Sequence, residues 1–235
     1  MGGTRAGVLE LSWPFWEAEF EIGFRAFQAA DIYAATGWLA HQIAKEWHGS
    51  GVYGPKGTDL GQLTAGEMAV SAAEELAHFH SLRALGEAMD APPGEHVPGE
   101  AALALTRYRN ARWDDPVARH GVRMSEGGGL GMLHGAIAAI DARGAVRPQD
   151  AAVRACFQGI VADEAGHLGG AIDDYLGESF TAAEDALIRA TLSDCLALKV
   201  DERREQFAPQ LAQASVAPGE AAVAAYKTAI ERLVS

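Results

Sequence analysis

The chain has 235 residues, 49% of them hydrophobic and 22% charged, which is ordinary globular composition with enough length for a sizeable core. Its 32 acidic against 19 basic side chains leave a net charge of −13, which repels phosphate backbones and anionic lipid and so speaks against nucleic acid or a membrane surface as partner. Two cysteines, Cys156 and Cys195, lack the spacing of a zinc knuckle or rubredoxin-like site, and no apolar run reaches membrane-spanning length or forms a signal core. The expectation is a soluble protein of a reducing, cytoplasmic compartment.

Apolar residues recur at helical spacing from about Trp13 to His48, through Phe20, Phe24, Phe27, Ala34, Ala35 and Trp38, and predict one long first helix. A Gly- and Pro-rich loop over Tyr53 to Thr58 follows. A second helix then starts between Asp59 and Thr64 and runs to about Met89. Residues 91 to 98, Ala-Pro-Pro-Gly-Glu-His-Val-Pro, break the chain, and a short helix over about Gly99 to Trp113 reads as part of a crossover between two hairpins. Pro116 suits a first helical position and opens a third helix to Asp141; a fourth follows Arg147-Pro148 and ends near Tyr175. Amphipathic helices over about Thr181 to Gln206 and Gly219 to Val234 carry no obvious chemistry and are expected to pack outside. No strand pattern occurs, so the fold class is all-α, a single domain over residues 1–235.

The chemistry lies on the apolar stripes. Glu75 and His78 sit three residues apart on the second helix, and Glu164 and His167 repeat that pair on the fourth, each Glu between buried positions. Glu126 falls in line with Val122, Leu130, Leu133 and Ile137 on the third helix, and Asp31 in line with Phe24, Phe27, Ala35 and Trp38 on the first. Asp31 is 17 residues before His48 and Glu75 is 16 after Asp59, while Glu126 is 16 before Ala142 and Glu164 is 15 after Gln149. At about 1.5 Å per residue these depths agree within about 3 Å, which favours Asp31 over Glu46 on the first helix without deciding between them. Four uncompensated carboxylates in a core would cost several kcal/mol each, whereas two Fe²⁺ ions balance four carboxylates and two neutral imidazoles.

This arrangement resembles the ferritin-like di-iron carboxylate superfamily, whose pattern is an acidic residue, Glu-x-x-His, a Glu and a second Glu-x-x-His on four successive bundle helices. The resemblance covers about residues 15–176, with the helices over about 181–234 as additions. It implies a four-helix bundle with a crossover connection. It further implies that Asp31, Glu75, His78, Glu126, Glu164 and His167 ligate two irons, with Glu75 and Glu164 as bridges at the reacting centre. Manganese in place of one iron is compatible with the pattern. With no Cys-x-x-Cys pair for a rubrerythrin-type electron-transfer domain, the resemblance points to an O₂-dependent oxygenase or oxidase of a small organic molecule, served by an external electron donor, as a monomer or homodimer. N-oxygenation, hydroxylation and oxidative C–C cleavage all fall within it. A ferroxidase, peroxidase or iron-storage protein is the alternative, and a metal-free helical interaction module the second.

The run Gly127 to Gly131 follows Glu126 inside a helical pattern, where each Gly costs roughly 1 kcal/mol relative to Ala. Gly128, Gly129 and Gly131 either leave room for a substrate beside the metals, or allow close helix packing or a local distortion such as a π-bulge. His134 and Tyr175 lie near the same stripes and either line that pocket or simply pack.

Overall fold

A computed structural model describes residues 5–49, 65–91, 99–125, 127 and 129–235. Among these, all regular structure is helical, in agreement with the all-α expectation, and no described helix is long and apolar enough to cross a membrane. The helices are α1 (Arg5–Gln28), α2 (Gly37–Gly49), α3 (Ala65–Ala88), α4 (Glu100–Trp113), α5 (Ala118–Met124), α6 (Gly129–Ala142), α7 (Asp150–Gly177), α8 (Ala182–Gln206), α9 (Ala208–Leu211) and α10 (Glu220–Leu233).

The long first helix expected from Trp13 to His48 is two helices that reverse direction. The chain leaves the α1 axis after Gln28 and turns over residues 29–36, where the amides of Ala34 and Ala35 both donate to the Asp31 carbonyl and Trp38 Nε1 donates to the Ile32 carbonyl at 2.7 Å. α2 then returns along α1, so that Phe27 meets Trp38 with ring centroids 5.1 Å apart and Glu19 and Gln42 reach the same Arg203 side chain. Apolar spacing hid the turn because Ile32 and Tyr33, inside it, are as buried as helix-face residues. Periodicity reports burial, not the direction of the chain.

α3 is antiparallel to α2, with Gly86 beside Leu39 and Ile43 at one end and Phe79 against Trp47 at the other. α7 is antiparallel to α3 in turn, since His78 faces Asp163 while Glu74 faces His167. The expected third helix is also interrupted: α5 stops at Met124, Ser125 turns back onto the Val122 carbonyl, and α6 begins at Gly129. α6 runs antiparallel to α7, where Arg154 pairs with Asp141.

α1 and α6 run parallel and very close. Gly131 lies against Trp16 and Glu19, Gly135 against Phe20 and Phe24, and Arg143 donates to the Phe27 carbonyl at 2.7 Å. A clasp locks the reversal between α1 and α2 to the turn between α6 and α7: buried Asp150 accepts from Tyr33 Oη at 2.6 Å, from Arg143 Nε at 3.1 Å and from the Arg147 amide at 3.0 Å.

α8 is not an outer helix. It opens with a reciprocal Thr181–Glu184 cap, then buries Ile188, Leu192, Leu196 and Arg203 against α1, α4 and α5. Near its end Glu205 receives the first amides of α4, a carboxylate at a helix N-terminus. α10 lies on the outside, antiparallel to α1, stacking Tyr226 on Phe20 at 4.8 Å. Trp16, Phe20, Phe27, Trp38, Phe157 and Phe207 form the centre of the core.

Candidate metal centre

Three helices converge on one acidic cluster. α2 contributes Glu46, α3 contributes Glu74, Glu75 and His78, and α7 contributes Asp163, Glu164 and His167. One donor atom from each of Glu46, Glu75 and His78 lies within 4.8 Å of the others, a spacing that a single ion can bridge. Glu46 and His78 are buried; His78 Nδ1 stands 3.8 Å from Glu46 Oε2, beyond hydrogen-bond range, and is unpartnered. Its Nε2 meets Asp163 Oδ2 at 3.1 Å, and His167 Nε2 meets Glu74 Oε2 at 2.6 Å. Asp163, Glu74 and His167 are partly exposed, so the cluster opens to solvent along the seam of α3 and α7.

The carboxylates are too crowded to ionise together. Burial, the Glu46 charge and a hydrogen bond with Glu46 raise the Glu75 carboxyl well above the usual range, and Glu164 is raised by burial and then by Glu46. Burial would also raise Glu46, but the Glu75 carboxyl and the His78 imidazole beside it, with Lys45, outweigh it and hold Glu46 below its ordinary value. Burial would lower His78, yet the Glu46 carboxylate beside it and the hydrogen bond with Asp163 push it up to about 9. A divalent cation bound here would use these oxygen and nitrogen donors and compete with their protons.

Glu75, His78, Glu164 and His167 thus fall in one region, as their spacing leads one to expect. Asp31 does not join them. It sits in the turn before α2, where Oδ2 accepts from Gln213 Nε2 at 2.8 Å, and Glu46, which the depth count disfavoured, stands beside Glu75 instead. The count assumed one continuous first helix; once α2 is a separate returning helix, depth measured from Asp31 has no meaning. Glu126 and Gly128 lie outside the described residues.

The pocket expectations divide. A Cβ on Gly131 would lie 2.6 Å from the Trp16 carbonyl oxygen and 2.9 Å from Glu19 Cβ, so this glycine permits close packing of α6 on α1 and leaves no room for a substrate. At Gly129 a Cβ would meet only Arg203 Nη2, at 3.6 Å. His134 points to α10, its ring 5.3 Å from Tyr226. Tyr175 hydrogen-bonds Asp185 and stacks on Phe180 at 5.4 Å, which fastens the end of α7 to the start of α8. Glu46, Glu74 and Asp163 are the site residues that sequence reasoning missed. Glu46 shares a helix face with Leu39, Gln42 and Ile43, which was a usable signal; Glu74 and Asp163 each precede a motif Glu and carried none of their own.

Comparison of the chain with protein-family profiles, curated proteins and solved structures finds no match.

Proposed function

We propose that this chain is a non-haem di-iron protein that uses O₂ to oxidise a small organic substrate. The observation that carries the reading is the convergence of Glu46, Glu75 and His78 within 4.8 Å, with Glu164 close enough to be raised by Glu46 and His167 beside it on α7. The donor set fits: carboxylates and imidazoles suit iron. Glu46, Glu75 and His78 would hold one ion, and Glu164 with His167 a second. The antiparallel helices α2, α3 and α7 supply these donors, with Glu46 on α2 in the place expected of Asp31.

When bound and reduced, iron supplies electrons to O₂ and an oxidant for C–H, N–H or C–C bonds. The protein's own part is to bind and orient. Asp163 and Glu74 hold the two imidazoles through their Nε2 atoms, so the rings are aimed before any ion arrives. Burial and the neighbouring Glu46 charge raise the Glu75 carboxyl, so that it would hold a proton more readily than an ordinary glutamate beside a bound ion. The seam of α3 and α7, where Asp163, Glu74 and His167 are partly exposed, is the side from which a small substrate would reach the centre.

Anaerobic titration with Fe²⁺ tests the reading. About two irons per chain are expected, as two Glu-x-x-His pairs imply, with Glu75→Ala and Glu164→Ala losing one or both. Glu46→Ala should lose metal and Asp31→Ala should not; the reverse would sink the placement of α2. Protein that binds no iron is a helical module instead. Iron oxidation that no amine, acid or aldehyde accelerates, in a large hollow assembly seen by light scattering, would make it a storage protein.

A further inference from the structure

Glu46 is held from two directions. Its Oε2 faces His78, and its Oε1 accepts a hydrogen bond from Nε2 of Gln42, one helical turn earlier on α2. The Gln42 amide has no freedom to flip. Its Oε1 accepts from Arg203 Nη1 at 2.9 Å and from Gln206 Nε2 at 3.2 Å, so its NH₂ must turn towards Glu46. Arg203 is fixed in turn: Nε donates to Glu19 Oε1 at 3.3 Å and Nη1 also donates to Gln206 Oε1 at 2.8 Å. Gln206 is tied to the Trp38 carbonyl at 3.0 Å.

All five side chains, Glu19, Gln42, Glu46, Arg203 and Gln206, are at least nine-tenths buried. Their polarity contributes little to stability that well-packed apolar groups would not, because a buried ion pair roughly offsets its own desolvation. A buried network that is nearly fully connected does fix geometry. Here the geometry it fixes is that of a carboxylate in the candidate metal centre, and it does so from α8, a helix that contributes no ligand.

We propose that Gln42, oriented by Arg203 and Gln206, is a positioning residue that presents the Glu46 carboxylate to the metal. The inference rests on the metal reading above. Partners that orient a ligand in this way change metal affinity by about 10- to 100-fold when removed.

Co²⁺ is the probe, since its visible absorption reports ligand geometry without turnover. Gln42→Leu should weaken Co²⁺ binding by about 10- to 100-fold and alter the visible bands of whatever Co²⁺ still binds. Arg203→Lys keeps the charge but cannot reach Glu19 and Gln42 together; it should shift both readouts the same way and serves if Gln42→Leu does not fold. Asp150→Asn, which loosens the clasp at the other end of α7, should lower thermal stability and leave Co²⁺ affinity and spectrum unchanged. A folded Gln42→Leu with wild-type affinity and bands overturns the proposal. So does an Asp150→Asn protein that loses Co²⁺ in proportion to its lost stability, because the network is then merely structural. Wild-type protein that binds no Co²⁺ removes the metal reading itself, before any substitution is made.

Discussion

Substituting Gly135 by Ala should destabilise the protein through backbone overlap between two helices. An added Cβ would lie 2.1 Å from the Phe20 carbonyl oxygen, 2.8 Å from the Phe24 nitrogen and 2.9 Å from the Phe20 carbonyl carbon. None of these atoms belongs to a side chain that can rotate away, and relief to ordinary contact requires α1 and α6 to separate by about 1 Å over a tightly packed seam. α1 is pinned there by buried Phe20 and Phe27. Ala improves helix propensity over Gly by about 1 kcal/mol, whereas overpacking costs about 1–3 kcal/mol and lies at the upper end when backbone is the obstacle, so a net loss of about 2 kcal/mol is expected. Gly159 on α7 is the internal control. Nothing lies within 4 Å of its added Cβ, and Gly159→Ala should therefore stabilise by about 0.5–1 kcal/mol. Urea denaturation followed by circular dichroism measures both. A Gly135→Ala protein within about 0.5 kcal/mol of wild type, the usual range of an inert substitution, would refute the close parallel packing of α1 and α6.

Burial lowers the pKa of His134 to about 4 from its ordinary 6.5, so the unfolded chain takes up a proton that the folded one refuses. The sign follows: stability is intact above pH 6.5 and falls as pH drops towards 4, by about 3 kcal/mol at 1.36 kcal/mol per pKa unit, and His134→Leu should flatten that part of a pH series of urea melts. Asp150 is also lowered, with Arg143 and Tyr33 outweighing the effect of its burial, so its contribution is present above its unfolded pKa and lost as pH falls through the folded one. Asp150→Asn should cost about 1–3 kcal/mol at pH 7, read as a lower urea midpoint, and should reduce the loss of stability on acidification.

Helices with a clean start and stop were legible. α4, α7, α8 and α10 fall within about two residues of their sequence boundaries, because Pro116, Pro148, Thr181 and Gly219 mark where helical spacing begins or ends. Two breaks were not legible, for different reasons. The turn between α1 and α2 contains no proline and continues the apolar pattern through Ile32 and Tyr33, so only the tertiary pairing of Phe27 with Trp38 reveals it. The break between α5 and α6 does have a signal, the glycine run, but glycines at helical spacing also suit close packing or a local distortion within one continuous helix. The site divides in the same way. Glu75 with His78 and Glu164 with His167 are readable because an i, i+3 pair shares a face whatever the rest of the chain does. Glu46 depends on the path of α2, and Gln42 and Arg203 depend on where α8 enters the core. No local pattern encodes either.

The glycines beside α6 separate packing from substrate access. At Gly131 an added Cβ meets the Trp16 carbonyl oxygen at 2.6 Å, Glu19 Cβ at 2.9 Å and Tyr226 Oη at 3.2 Å, so a leucine there would have to push α1 and α10 outward together. Glu19 also anchors Arg203, which in turn orients Gln42 against Glu46, so displacement at Gly131 propagates to the metal centre. Gly131→Leu should therefore lower the melting temperature and the bound iron in parallel. Gly129→Ala places its methyl at ordinary distance from Arg203 Nη2 and should leave both unchanged. Space reserved for a substrate at Gly131 would behave otherwise, since filling it blocks turnover while stability and iron content persist. Thermal melts with iron analysis on the same samples distinguish the two, and a stable, iron-replete Gly131→Leu protein would show that α1 does not occupy the groove above this glycine.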